Sequence, residues 1–347
     1  MEHALRSASG ADTWMNCPGS IKAQQGIESQ SSTYSEEGTR AHKMCESMLM
    51  GDITHNIEQD DEMVSYCKSY VDYVRSLVKD EASLYIEKRV EFSYYVEDGF
   101  GTVDAMIVDL EESTVHIIDF KYGAGIKVDA FENKQLMLYA LGCYQTTNCM
   151  WSIDNIIIHI FQPRMDNIST YEITIDELLE FGEEVKKASM ATIDANAPRI
   201  TGLKQCQWCK AKIKCKEFLG ITTNVIDNSG DDETLKYILD NEKLINMAIK
   251  TAKDYAFKSI NEGNSFDGYK IVEARTNRKF TEEGLIELKE KLGDKAFINK
   301  PITLSQAEKL LSKEEVNGMT IRTSGKPTLA KESDKRKSLT DEFEDLT

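Results

Sequence analysis

The hydrophobic and polar positions divide the chain into a run of recognisable elements. Residues 7–51 read as mostly helical, with Ala41, Met44, Cys45, Met48 and Leu49 recurring at helical spacing after Gly38. An acidic connector at 58–62 precedes a second predicted helix over 63–79, whose apolar side carries Val64, Tyr70, Val71, Val74 and Leu77. Three segments rich in β-branched and aromatic residues follow, at 84–95, 101–109 and 115–121, with Glu111, Glu112 and Ser113 forming a turn. Residues 133–144 return to a helical period, 155–161 form a continuous apolar run of the buried-strand kind, and 173–187 read as a strand leading into a helix. This order predicts an α/β core with a mixed sheet flanked by helices.

Beyond this core, the polar and acidic stretch 220–233 marks the best domain boundary. A single long helix is expected over 234–261, where Leu235, Ile238, Ile245, Ile249 and Ala256 keep a helical period. A short strand at 269–274 and two helices near 283–291 and 304–311 complete a smaller α-rich domain. The expected division is 1–222, 223–322 and a flexible tail at 323–347.

Two constellations carry candidate chemistry. In the first, Asp104 lies in the second strand, and Asp119 and Lys121 stand two apart near the end of the third. Strand side chains alternate with period two, so Asp119 and Lys121 project to one side, and a hairpin would bring Asp104 beside them. Two converging carboxylates suit a hard divalent cation, and an adjacent lysine could orient an attacking water and stabilise a pentavalent phosphate. Alone, an Asp-x-Lys tripeptide is commonly an exposed ion pair. Here Gln135 and Tyr139 share a helix face at i, i+4, and His42 offers a nitrogen ligand from an upstream helix.

The second constellation is Cys206-x2-Cys209-x5-Cys215 with Cys17 far upstream. Four thiolates can close a zinc site or hold a [4Fe–4S] cluster. Zinc ribbons usually pair two Cys-x2-Cys knuckles, so one remote cysteine with a close triplet suits the cluster better, with structural zinc as the alternative. Cys45, Cys67, Cys143 and Cys149 sit in apolar contexts and read as core fillers. His116 and His159 read as core or edge histidines.

Forty-two Lys and Arg against fifty-nine Asp and Glu give a net charge of -17 over 347 residues. Domains that coat nucleic acid electrostatically are usually basic, so this balance argues against tight nonspecific coating. The charge is uneven, however: residues 201–216 hold Lys204, Lys210, Lys212, Lys214 and Lys216 without an acid, while four acids crowd 341–345. Lys210, Lys212 and Arg164, which follows a buried strand, are candidate DNA contacts. The basic runs at 275–279 and 331–337 read as solvated faces that could touch a DNA backbone. No apolar run of about 20 residues is present to span a bilayer. The start of the chain lacks the apolar run of a signal peptide, so a reducing cytoplasm is expected.

His42, Asp104, Asp119-x-Lys121 and Gln135-x3-Tyr139, in that order, resemble the RecB-type branch of the PD-(D/E)xK nucleases. The bracketing Cys17 and Cys206, Cys209 and Cys215 resemble the iron–sulfur staple of the AddB-type and CRISPR-adaptation nucleases. The stretches NCPGS, EEGTRAH, DFKYGAG and NKQLMLYALG look like phage and prophage proteins encoded near a single-strand-annealing or replication module. The motifs cover about residues 7–220 and are specific in their order rather than singly. The resemblance implies a restriction-endonuclease-like core in which Asp104, Asp119 and His42 bind Mg²⁺ or Mn²⁺. It further implies Lys121 as the catalytic lysine, Gln135 and Tyr139 at the DNA end, and a cluster that ties the two ends of the domain together. Many relatives carry Glu where this chain has Asp119. The implied activity is a metal-dependent DNA exonuclease serving recombination or replication, partnered by a single-strand-annealing or ssDNA-binding protein. A catalytically idle DNA-loading module and a zinc-stabilised structural protein are the alternatives.

Overall fold

The computed structural model describes residues 4–27, 33–51, 61–147, 152–223, 232–276, 278–296, 303–308, 310–321, 325, 327–331 and 334–338. Residues 58–60 of the acidic connector, Cys149, residues 224–231 of the expected boundary and the acidic tail at 341–345 lie outside them. Among the described residues no helix is long and apolar enough to cross a membrane. The chain divides into two compact units, Met1–Ala248 and Ile249–Thr347.

In the first unit, α1 (Ala11–Asn16), α2 (Ser20–Gln24), α3 (Thr33–Met50) and α4 (Asp61–Leu77) precede β1 (Ser83–Glu91), β2 (Phe100–Asp109) and β3 (Thr114–Phe120). Then come α5 (Lys134–Thr147), β4 (Asn155–Gln162), β5 (Asn167–Thr174), α6 (Ile175–Ala191), α7 (Leu203–Gln207), α8 (Lys216–Thr223), α9 (Asp232–Asp240) and α10 (Glu242–Asn261), whose residues after Ala248 fall in the second unit. The five strands form one sheet in sequential order. β1, β2 and β3 run as an antiparallel meander, β3 and β4 pair in parallel across the α5 crossover, and β4 and β5 are antiparallel. Helices thus cover a mixed sheet on both faces, as the element order predicted.

The two faces have separate cores. Residues such as Met106, Val108, Val115 and Ile117 pack with α1, α5 and α6 around Trp14, Leu136 and Leu141. Ala105, Ile107, Ile118 and Phe120 pack on the opposite face with α3 and α4, around Ala41, Cys67 and Tyr70. On this second face His116 and His159 are buried, Nδ1 of the first lying 3.1 Å from Nε2 of the second, with Tyr73 Oη 2.8 Å from the other nitrogen of His159. They are core histidines satisfied by each other.

Four expectations change. The first strand stops at Glu91, because the chain turns at Phe92, whose N–H donates to Gly99 O. The helix expected over 234–261 is two, α9 and α10, separated at Asn241, whose side-chain amide donates to Tyr237 O. A polar side chain that competes for backbone partners favours such a break. The first unit extends past 222, since Leu244 and Ala248 of α10 bury against Cys206, Phe218 and Ile221. The helix near 304–311 shortens to Leu304–Ala307.

The second unit holds more helix than strand, with four short strands among its described residues where the sequence suggested one. It contains β6 (Tyr269–Glu273), β7 (Lys279–Phe280), α11 (Glu282–Leu292), α12 (Leu304–Ala307), α13 (Lys313–Gly318), β8 (Thr320–Ile321) and β9 (Pro327–Lys331). β6 pairs with β9 and β7 with β8, both antiparallel. Leu288, Ala296, Ala307, Val316 and Met319 form its core, and capping boxes at Thr303 and Ser312 start α12 and α13. Two of its arginines are engaged internally: Arg278 with Glu308 and Asn317, and Arg336 with Asp334.

Candidate metal centre

β1 and β2 lose their alternation at one point. In β1, Leu84 and Ile86 pack on the α3/α4 face, whereas Val90 packs on the α5/α6 face. In β2, Ala105 and Ile107 pack on the first face and Val103 on the second. Residues an even number apart should share a face, so the strands twist over between these positions. The cause is Glu87, whose φ of 46° places it in the left-handed region inside a strand. The ladder pairs Ile86 with Ala105 and Lys88 with Val103, and skips Glu87 and Asp104.

Asp104, released from that pairing, reaches across to β3, where one carboxylate oxygen accepts the Phe120 N–H at 2.7 Å. Its other oxygen lies 3.2 Å from His42 Nδ1 on α3. On β3, Asp119 is only 4% exposed and sits 2.9 Å from Lys121 Nζ. Lys121 donates to Gln135 Oε1 at 3.2 Å, and Gln135 Nε2 donates to Tyr139 Oη at 3.0 Å and, at 3.4 Å, to Asp119 Oδ1. Asp119 Oδ2 makes no hydrogen bond, although the lysine charge lies beside it. Tyr139 lies against Gly101, where any Cβ would fall 2.3 Å from the ring, so the Gly-x-x-Asp spacing serves close packing as well as Asp104. The six residues expected from sequence therefore converge at the end of β3 from both faces of the sheet.

One member was not anticipated. Glu87 places a carboxylate oxygen within 4.8 Å of ligand atoms of both His42 and Asp104, and these three are the one such trio among the described residues. Asp119, expected as a metal ligand with His42 and Asp104, contacts Lys121 and Gln135 in the ion-free structure. The sequence signal for Glu87 was faint: a glutamate in a strand between Ile86 and Lys88 reads as solvent-facing.

The electrostatics follow from crowding acids in a partly dry site. Burial, with Asp104 and Glu46 nearby, pushes Glu87 up to about 7. Burial and the Asp104 charge likewise raise Asp119 above the usual carboxylate range, against the pull of Lys121. Burial opposes the charge on His42, but Asp104 and Asp119 outweigh it and lift the imidazole to about 9. The same contest raises Lys121, with burial overcome by Asp119. Two cations of the chain's own thus partly neutralise the acids.

The loop after β3 is fixed from β4. Buried Gln162 donates to Gly123 O and Ile126 O at 2.7 and 2.8 Å and accepts from Val128 N–H at 3.1 Å, holding the chain that leads from Lys121 to Gln135. Arg164 stacks over Tyr122 and lies 3.5 Å from Glu37 of α3, so this candidate DNA contact is held by a carboxylate at the rim.

Cys17, Cys206, Cys209 and Cys215 line one cavity together with Ile200, Lys212 and Phe218. The N-terminal segment is clamped to the approach of the triplet. Gly19 N–H donates to Pro198 O, Lys22 to Ala195 O, Lys210 N–H to Gln24 Oε1 and Ile200 N–H to Cys17 Sγ. A Cβ at Gly19 would meet Ala197 O at 2.6 Å, so this approach admits glycine alone. Burial raises the thiols of Cys17, Cys206 and Cys209, and the neighbouring cysteines add to it. Tetrahedral zinc with bonds of about 2.3 Å would draw sulfurs to about 3.8 Å from one another. Among the described residues no three of these sulfurs lie within 4.8 Å of one another. The Lys210 side chain is exposed, whereas Lys212 lines the cavity and donates to Gln207 O. Cys45, Cys67 and Cys143 are buried in the cores, as expected.

Residues 3–337 match the family described as "Protein of unknown function (DUF2800)". The chain belongs to the DUF2800 family. Both the carboxylate centre and the cysteine cavity of this DUF2800 protein fall inside the matched span. Among solved structures it shows a similarity to one titled "Crystal structure of SSO0001", at 18% identity and a TM-score of 0.32, covering 60% of this chain and 84% of that one. A likeness so loose carries no argument about the fold.

Proposed function

We propose that this protein is a divalent-cation-dependent deoxyribonuclease with a PD-(D/E)xK-type core, acting as an exonuclease that prepares DNA ends for recombination or replication. The observation that carries the reading is the bonded series Asp119–Lys121–Gln135–Tyr139 meeting His42 and Asp104 at one strand end. An isolated surface ion pair would need neither a buried aspartate nor a glutamine holding the lysine.

The donor set, converging carboxylates with one imidazole, fits Mg²⁺ or Mn²⁺. Such an ion, held by His42, Asp104 and Asp119, supplies Lewis-acid charge at the scissile phosphate and acidifies a bound water. Lys121, gripped by Asp119 and Gln135, keeps its ammonium at a fixed point where it orients a water toward phosphorus and balances the charge gathering on the phosphoryl oxygens. Tyr139 steadies Gln135, which steadies Lys121. Asp104 is itself anchored by the Phe120 N–H, so the acid most central to the site needs no metal to hold its place.

The cysteine cavity fits a [4Fe–4S] cluster of structural role. The remote Cys17 beside the close triplet supports a cluster over a paired-knuckle zinc site, and such a group would fasten residues 17–24 to residues 195–210, which hydrogen bonds already join. Anaerobically purified protein should carry iron and sulfide with an absorption band near about 400 nm; colourless protein with stoichiometric zinc would establish the alternative.

The deciding experiment incubates defined 5′- and 3′-labelled duplex and single-stranded DNA with the protein and Mg²⁺ or Mn²⁺. Wild type should shorten the DNA and Lys121→Met should not; intact DNA with both would reduce the site to a binding module. Because the net charge is -17, DNA binding should be weaker in EDTA than in Ca²⁺.

A further inference from the structure

We propose that Glu87 is a cation ligand, and that with His42 and Asp104 it forms a pocket for Mn²⁺ on the α3 side of the sheet. The inference rests on the nuclease reading and adds a ligand that none of its motifs contains. Three observations converge on it. The ligand atoms of the trio all lie within 4.8 Å of one another, the separation at which one ion can bridge them. Glu87 has no hydrogen bond and no ion pair among the described residues, although it is half-buried. It also occupies the position where the ladder skips a pair, opposite Asp104, so the same break presents both carboxylates to His42.

Asp119 argues for the same division from the other side. Its carboxylate is committed to Lys121 and Gln135, while its buried Oδ2 is left without a hydrogen bond. Asp104 stands between the two groups, with one oxygen toward His42 and the other on the Phe120 N–H. The trio would therefore hold an ion on the α3 side of the sheet, while Asp119 lies with Lys121 and Gln135. Two carboxylates with an imidazole suit Mn²⁺ better than Mg²⁺, which strongly prefers an all-oxygen shell with retained waters.

Mn²⁺ titration followed by the paramagnetic resonance signal of the free ion measures this without reference to DNA. Glu87→Gln keeps the shape and backbone preference of the side chain and removes its charge. It should weaken Mn²⁺ binding by roughly tenfold or more relative to wild type, with an unchanged circular dichroism spectrum. Wild-type binding that Glu87→Gln leaves within that range would overturn the assignment of Glu87 alone. A wild-type chain that takes up no Mn²⁺ even at millimolar concentration would overturn the nuclease reading with it.

Discussion

The carboxylate centre and the cysteine cavity are both ligand-rich, yet they keep themselves together in opposite ways. The carboxylate centre carries its own counter-charges: Lys121 lies on Asp119, His42 on Asp104, and a backbone N–H on the remaining Asp104 oxygen. The cysteine cavity has no comparable provision. One sulfur receives the Ile200 N–H, another donates to Glu217, and burial raises the thiols of Cys17, Cys206 and Cys209. A site whose charges are balanced within the protein would stay ordered when emptied of a metal, whereas a cavity of buried thiols would gain cohesion from a group that filled it.

The largest test of that contrast is Cys209→Ser. It should cost several kcal/mol of unfolding free energy in denaturant titrations, on the order of a lost structural metal site, and expose the N-terminal segment to proteolysis. A variant as stable as wild type would erase the distinction. Lys121→Met should weigh mainly on activity: cleavage falls by about 10²–10⁴-fold, while the melting temperature falls less than in Cys209→Ser, because buried Asp119 loses its counter-charge but the stem is kept.

The His116–His159 pair supplies a baseline, a buried polar group with no metal to hold. Burial, aided by His116, holds His159 down to about 3 against an ordinary value of 6.5. Below about 6.5 the unfolded chain takes up a proton that the folded chain refuses, so stability falls as pH drops from there toward about 3, by at most about 1.4 kcal/mol per pH unit. Unfolding curves of wild type and His159→Gln should therefore converge as the solution is acidified through this window. The smallest effect belongs to Glu87. Asparagine tolerates the left-handed region better than glutamate, so Glu87→Asn should raise stability by about 0.5–1 kcal/mol, the signature of strain kept for a purpose.

What the sequence disclosed follows the same divide. Period-two spacing was enough to put Asp119 and Lys121 on one side, and i, i+4 spacing to put Gln135 and Tyr139 on one helix face, because both rest on regular backbone. The convergence of Cys17 with the triplet was likewise readable, because few other arrangements use cysteines so spaced. Glu87 escaped because its role depends on an irregularity: one left-handed residue reverses which face each side chain meets, and no alternation pattern encodes that in advance. The break at Asn241 was hidden for a related reason. Leu235, Ile238, Ile245 and Ile249 stay in phase across it, so the apolar rhythm continues where the helix does not. The later domain boundary could not be read from polarity either, since the decisive contacts are those of Leu244 and Ala248 with residues some thirty positions earlier.

The clamp around Cys17 has a consequence for the order of events during synthesis. The bond from Ile200 to Cys17 spans 183 residues of chain, and Cys215 lies farther on still. A ribosome delivers the first thiol long before the other three exist, so the sheet can form while the amino-terminal segment has nothing to fasten to. If the proposed group fills the cavity, it would have to be inserted into a nearly finished polypeptide, and its arrival would mark the moment at which the domain becomes closed.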